Sequence, residues 1–251
     1  MKKSDKRRVG IMNHLYIHEE CDVINLSSVF NVSVETIRRD LNVLDSSGQL
    51  LRTHGGAKVM DNTDIGSSFS RRMKTNAEGK RVIANNALDY ILEGEVIGLD
   101  ASSASWFLAQ AIPNISLTVI TNSLDIVQVL SKKNNINTIC LGGSYSEKYS
   151  SFYGNLTTKN LQRLSIDMLF MACSSFDPIK GVWESNEHNA TVKQAMISSS
   201  DKVVLLAEKN KRNKRGLIKL ADFEDIDIII TDDELCALDS RSLEGKDILV
   251  I

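Results

Sequence analysis

Asn31-Val32-Ser33-Val34-Glu35-Thr36-Ile37-Arg38-Arg39-Asp40-Leu41-Asn42-Val43-Leu44 is the stretch that decides how the start of the chain folds. Ser33 stands where an N-cap belongs, and Val34, Ile37, Leu41 and Leu44 recur at the three-and-four spacing that turns one stripe of a helix inward. Asn31-Val32-Ser33 makes a tight turn. Ahead of it, Ile24 to Phe30 reads as a short helix capped by Asn25, with Leu26, Val29 and Phe30 inward. Earlier still, from Ser4 to about His18, Val9, Ile11, Met12, Leu15 and Tyr16 give a first helix with a basic leading turn. On the far side Gly48 stops the central helix, and Leu50 to Ala57 alternates and ends on a glycine pair, as a short hairpin does.

Two helices across a tight turn, followed by a hairpin, form a winged helix-turn-helix, the layout that lets the second helix enter the major groove of duplex DNA. Thr36, Arg38 and Arg39 lie within one turn and fan out on the side opposite the apolar stripe. Arginine suits guanine edges and phosphates, so Ser33, Glu35, Thr36, Arg38 and Arg39 are the expected DNA-facing residues of that helix. Arg52 and His54 on the hairpin are expected to touch the DNA backbone beside the groove. A charged helix in a plain three-helix domain is the other reading of the pattern alone. Residues 1 to 58 hold nine Lys/Arg against seven acids, +2, which leaves -4 for the remainder of a chain whose net charge is -2, an excess modest enough to leave both readings open at this point.

From Lys58 to Asn76 the chain is polar, without sustained apolar period, so the expected organisation is a head at 1–57, a linker at 58–76 and a second domain at 77–251. The second domain alternates helices (near Gly79 to Leu92, from about Trp106, near Leu124 to Ser131, near Ala190 to Ser198) with β-rich runs. Those runs are Val96 to Asp100, Leu117 to Thr121, Asn137 to Leu141, Met168 to Ala172, Lys202 to Leu206 and Ile226 to Thr231. Such alternation builds an α/β domain with a mainly parallel sheet, which places ligands at the carboxyl ends of its strands. Asp100-Ala101-Ser102-Ser103-Ala104-Ser105 joins a strand to a helix there, and its hydroxyls with the free N–H groups of the helix start make an anion cradle fit for phosphate. A serine-capped turn with no ligand is the plainer reading of the same loop.

No apolar run is long enough for a membrane span and the start is not secretory, so a cytoplasmic protein without membrane contact is expected. Cys21, Cys140, Cys173 and Cys236 lack paired spacing and are expected to be reduced core thiols. His14 and His18 share a helix face with no acid or thiol to complete a shell, so neither a metal nor a cofactor is expected.

Val32 to Leu41, then Leu44, Gly48, Leu51-Arg52 and His54-Gly55-Gly56-Ala57, resembles the signature of the DeoR family of winged helix-turn-helix regulators. The resemblance runs on through Phe69, Arg72, Lys80, Thr121-Asn122-Ser123, Gly142-Gly143, Asp167 and Lys211. It implies an operator-reading helix from Val34, an even-numbered homo-oligomer (dimer or tetramer), and a C-terminal domain that looks like the ribose-5-phosphate isomerase fold turned to binding a phosphorylated sugar. The sequence departs from the family's usual Gly-Thr-Thr or Gly-Ser-Thr at Ser102-Ser103-Ala104, and carries Asn189 where many relatives have Glu. Asp100 to Ser103 followed by Trp106, and Trp183-Glu184-Ser185-Asn186 followed by Asn189-Ala190, resemble a branch of the family whose ligand is a deoxyketose phosphate, fuculose 1-phosphate. The effector residues so expected are Asp100, Ser102, Ser103, Ser105, Trp106, Thr121, Asn122, Ser123, Gly142, Gly143, Trp183, Glu184, Asn186 and Lys211. In that set Trp106 and Trp183 form an apolar wall, with core packing as the other reading of both.

A sugar-phosphate isomerase with an accessory helical head is the alternative from a different class. Glu187 and Asp167 could be nominated as its carboxylates. Lys193 and Lys211 read better as partners of phosphate or carboxylate, or as surface lysines, and a binding role without catalysis is expected.

Overall fold

The computed structural model describes residues 3–18, 20–46, 50–59, 66–213, 216–232 and 249–250. They form two compact units, within residues 1–66 and 67–251. Gly48 and Cys236 lie outside the described residues, as does the side chain of Tyr16.

The first unit contains α1 (Lys3–His18), β1 (Glu20–Asp22), α2 (Val23–Phe30), α3 (Val34–Ser46), β2 (Leu50–Arg52) and β3 (Gly56–Val59). Its core is Ile11, Met12, Leu15, Val23, Leu26, Ile37, Leu41, Leu44, Leu50 and Ala57, the expected helical stripes with one face of the hairpin. Asn31 adopts the left-handed conformation (φ 49°) and ends α2, with the Val32 N–H donating to the Ser27 carbonyl at 3.1 Å. Ser33 then caps α3, its Oγ accepting from the Thr36 N–H at 3.2 Å.

Three local expectations need correction. Asp22, not Asn25, caps α2, because its carboxylate reaches both Ile24 N–H and Asn25 N–H at 2.8 Å. Val9 and Val29 are exposed, while Phe30 is only partly buried against the core. The hairpin gains a third strand: β1 pairs antiparallel with β3 (Cys21 opposite Ala57), giving the order β1-β3-β2. A three-residue strand separated from its partner by two helices and a strand leaves no periodic signal in sequence.

The second unit begins with α4 (Phe69–Lys74), a helix inside the stretch 58–76 expected as linker, and α5 (Ala77–Ala87), which runs into a 3-10 turn. Then come β4 (Val96–Leu99), α6 (Ser103–Ala111), β5 (Leu117–Thr121), α7 (Leu124–Leu130), β6 (Ile136–Cys140), β7 (Ser144–Ser146), β8 (Ser151–Tyr153) and α8 (Asn155–Leu161). The unit continues with β9 (Ile166–Met171), β10 (Ser175–Asp177), β11 (Gly181–Glu184), α9 (Glu187–Ser198), β12 (Ser200–Ala207), β13 (Ile218–Ala221), β14 (Ile228–Thr231) and β15 (Leu249–Val250). The main sheet is parallel throughout, in the order β15-β14-β12-β9-β4-β5-β6.

Strand alternation splits its side chains between two apolar layers. Ile97, Leu99, Val119, Phe170, Leu206 and Ile230 pack under α5, α6 and α7. Ile120, Leu169, Met171, Leu205 and Ile229 pack against α8, α9 and a small antiparallel sheet, β10-β11-β13. From β4 the chain grows outward through β5 and β6 on one side and through β9, β12 and β14 on the other. The strand order therefore reverses between β4 and β9, the point at whose carboxyl ends doubly wound sheets form their ligand crevice. Among the described residues no helix is long and apolar enough to cross a membrane.

Two further corrections follow. The helix expected from about Trp106 starts at Ser103, because Ser102 caps it. Cys140 is exposed, since it closes the edge strand β6; Cys21 is half-buried and Cys173 buried, its thiol pushed up to about 12 by burial.

Candidate functional site

In the first unit α3 presents its polar face to solvent. The Arg38 and Arg39 side chains are 57% and 78% exposed, and both pair with Glu35, at 3.9 and 3.6 Å. Exposed pairs of this kind contribute only a few tenths of a kcal/mol, so both guanidinium groups can leave Glu35 for a stronger anion. Ser33 and His54 are exposed and Thr36 is half-buried.

Arg52 behaves differently from its expected backbone contact: its Nη1 donates to Asn42 Oδ1 at 2.9 Å and to the Arg38 carbonyl at 3.3 Å. Asp40 is the residue that sequence reasoning missed. Buried on α3, it accepts from Arg7 Nε at 2.5 Å and from Arg8 Nε at 3.1 Å, tying α1 to the helix beside it. The signal was present, because residues 37, 40, 41 and 44 all fall on the inward stripe. An acid placed there requires a cation.

In the second unit the crevice between β4 and β9 is built around Asp100. Its carboxylate accepts from the Ser102 N–H at 3.2 Å, from Ser105 Oγ at 2.5 Å and, across the reversal, from the Ala172 N–H at 3.2 Å. Lys193, from α9, lies 3.1 Å from Asp100, donates to the Ala172 carbonyl at 2.6 Å and is hydrogen-bonded to Glu184 Oε2. Burial alone would raise the Asp100 pKa, but Lys193 and the bonds from Ser102 and Ser105 outweigh it and hold the carboxyl below the usual range. Glu184 is likewise held low against burial, by Lys193 and the Ser185 N–H. Burial would lower the Lys193 pKa, yet Glu184 and Asp100 prevail and raise it. Lys193 is thus neither a surface lysine nor free for a ligand's phosphate.

A second charged group adjoins the end of β12. Glu208 accepts from Lys211 at 2.8 Å, Lys80 at 3.2 Å and Asn76 Nδ2 at 2.9 Å, and Asn76 also donates to Asp232 at 2.9 Å. Arg72 lies with its guanidinium 5.5 Å from the ring centroids of both Phe69 and Tyr149, and Nη2 makes a long bond of 3.4 Å to the Ala101 carbonyl of the cradle loop. Its Nε is buried without a hydrogen-bond partner. Burial lowers its pKa, opposed by Glu184 and the neighbouring acids. Arg72, Lys80, Lys193, Glu208 and Asp232 all stood outside the expected effector set. Three apolar strands each end on an acid, at Asp100, Glu208 and Asp232, and that repetition is the sequence signal that marks the crevice rim.

The remaining expected residues divide by what holds them. Ser102 and Ser105 are mutually bonded at the head of α6, and Ser103, also buried, opens its first turn. The Thr121 hydroxyl accepts from the Ser123 N–H, and Ser123 caps α7. Asn122 Nδ2 donates to the Phe152 carbonyl at 2.8 Å, leaving Oδ1 buried and without a partner. Gly142 and Gly143 have φ of 61° and 125°, and the Thr157 hydroxyl donates to the Gly142 carbonyl at 2.6 Å. Asn186 caps α9, and Trp183 is buried in β11. Trp106 packs on the apolar layer beneath α6, the core role that was its other reading. Of the nominated carboxylates, Asp167 accepts from the Val96 N–H at 2.7 Å at the amino ends of the strands, away from the crevice, and Glu187 is exposed.

A winged helix-turn-helix unit and a doubly wound parallel-sheet unit with a charged crevice at its strand reversal define a DNA-binding protein with a sensing domain. The chain belongs to the DeoR family of transcriptional regulators: residues 7–63 match its DeoR-like helix-turn-helix domain and residues 75–233 the DeoR C terminal sensor domain. It is 45% identical to an L-fucose operon activator of Haemophilus influenzae, over 92% of this chain and 93% of that protein. The L-fucose operon activator of Escherichia coli is 36% identical over 92% and 96%. The transcriptional repressor AccR of Agrobacterium fabrum is 34% identical over 90% and 88%. These relatives bear the names of regulators and not of enzymes, so the chain is a regulator rather than an isomerase. Among solved structures, ribose 5 phosphate isomerase A of Neisseria gonorrhoeae aligns with 54% of this chain and 53% of its own at 15% identity, with a TM-score of 0.39.

Proposed function

We propose that this regulator controls a sugar-catabolism operon in response to a phosphorylated sugar bound at the β4–β9 crevice, and that the sugar is a deoxyketose 1-phosphate such as fuculose 1-phosphate. The observation that carries the reading is the cradle loop from Asp100 to Ser105. It lies at the strand reversal, opens the first turn of α6, and has the unpaired Nε of Arg72 on one side and the unpaired Oδ1 of Asn122 in the neighbouring strand-end loop. Helix-start amides with a guanidinium suit a phosphate, and a lone amide oxygen suits a sugar hydroxyl. Glu184, Asn186 and Lys211 are engaged within the protein and frame the crevice. The fucose assignment draws on the two relatives named for that operon.

The regulator acts in the cytoplasm as a dimer or tetramer on paired half-sites, with α3 of each head in the major groove. Ligand that binds one state better shifts the population between DNA-competent and incompetent forms. A thermal-shift screen of phosphorylated hexoses, pentoses and their 6-deoxy relatives tests the sensor. Stabilisation by a 6-deoxyketose phosphate above the others is the expected result, and no response to any of them removes the proposal. On the DNA side, Arg38→Ala and Arg39→Ala are each expected to weaken specific binding by about 1–3 kcal/mol in a mobility-shift titration. Wild-type binding by either variant would displace α3 from the role of reading helix.

A further inference from the structure

We infer that Arg52 is a positioning residue for DNA reading, by which the wing fixes the turn of α3 that carries Arg38. The inference rests on the proposal that α3 meets the bases. Arg52 is the last residue of β2, and its Nη1 binds the Asn42 side chain and the Arg38 carbonyl together. Residues 38 and 42 are one helical turn apart, so a single guanidinium spans the turn. The Arg38 carbonyl has two lone pairs, so it can take this donor beside its helical one.

The arginine is itself held. It sits opposite Ala57 on β3, and β3 is paired in turn with β1, so the brace is anchored on a three-stranded sheet. Its Nε is enclosed and bonded to nothing. A guanidinium committed in this way is poorly placed to neutralise a DNA phosphate, unlike the open side chains of Arg38 and Arg39.

The consequence concerns specificity. Rotation of α3 about its axis decides which base edge Arg38 meets, and paired donor–acceptor readout tolerates little misplacement. Binding to arbitrary sequence runs through phosphate charge and does not depend on that rotation. Loss of the brace should therefore lower affinity for a preferred duplex and leave affinity for a scrambled one in place.

The experiment titrates the full-length wild-type chain, Arg52→Ala, Asn42→Ala and the double variant, each over a series of salt concentrations. The DNA is a duplex that the wild-type chain selects from a randomised pool, and a scrambled duplex of the same composition; each variant is also melted. Asn42→Ala changes no charge, so its effect cannot come from a lost cation. The expected result is a loss of about tenfold on the selected duplex for each single variant, with no greater loss in the double variant. The salt slope and the scrambled-duplex affinity stay at wild-type values. A salt slope shallower by about one, with equal loss on both duplexes, marks a phosphate contact and overturns the inference. Additive losses overturn it as well, as does a lowered melting temperature with matching loss on both duplexes. A wild-type chain that selects no duplex would instead defeat the reading of α3 itself.

Discussion

Lys193→Met is expected to destabilise the second unit by about 3–5 kcal/mol, because it strips the cation from between two buried carboxylates. Asp100 is wholly enclosed and Glu184 nearly so. Their ionised forms persist because Lys193 touches both. Methionine fills similar space, which makes the loss electrostatic rather than a cavity.

The pH dependence gives the sharper check. In the wild type the folded pKa values of Asp100 and Glu184 lie below their unfolded ones. Their contribution is therefore full above the ordinary carboxylate range, about pH 4, and is lost as pH falls through the depressed folded values. Lys193 is raised, so its contribution is present below its ordinary value of about 10.4 and lost only as pH rises through the folded one. In the variant burial acts on the carboxylates without its main opponent, and their folded pKa values move up. The variant should then gain stability as pH falls from neutral toward 5, a window in which these two groups leave the wild type unchanged. Denaturant melts at several pH values read both effects, and a variant that tracks the wild type at every pH would show that the triad is not coupled as described.

Gly56→Ala is expected to break the wing. A Cβ built at Gly56 would fall 1.8 Å from the backbone carbonyl oxygen of Cys21 and 2.7 Å from the Cα of Asp22. Both neighbours are main chain of the paired strand β1, so no side chain can turn away to make room, and β1 must separate from β3. Overpacking costs about 1–3 kcal/mol where a core can adjust, and a backbone-to-backbone clash lies at or beyond the top of that range. Specific DNA binding should be lost. The melt of the second unit should not move, because the substitution lies in the other compact unit. Retained operator binding with an intact first-unit melt would mean that β1 is not paired with the wing in solution.

Both effects turn on contacts between distant segments, and that is where legibility in the sequence ended. α3 was legible because cap, turn and apolar stripe lie within fourteen consecutive residues, and each is a local property of the chain. The strands of the parallel sheet were legible as apolar runs, since burial on both faces leaves few polar interruptions. The candidate crevice was half legible: the loop from Asp100 to Ser105 stood out as a strand-to-helix joint, and its position at the strand reversal followed once the order was known. The strands β1, β10, β11 and β13 escaped, being three or four residues long and too short for a period to register.

By itself the sequence determined the helix-turn-helix and the alternation of strands and helices, because local periodicity and capping are written in neighbouring residues, and its motifs carried the resemblance to the family. Only the tertiary structure decided what the charged groups do: that Asp40 holds Arg7 and Arg8, that Arg52 grips α3, and that Lys193 is spent on Asp100 and Glu184. The physical reason is that a charge takes its role from whichever group folding brings within about 4 Å of it. Those partners lie 9 to 93 positions away along the chain, where no local pattern reaches.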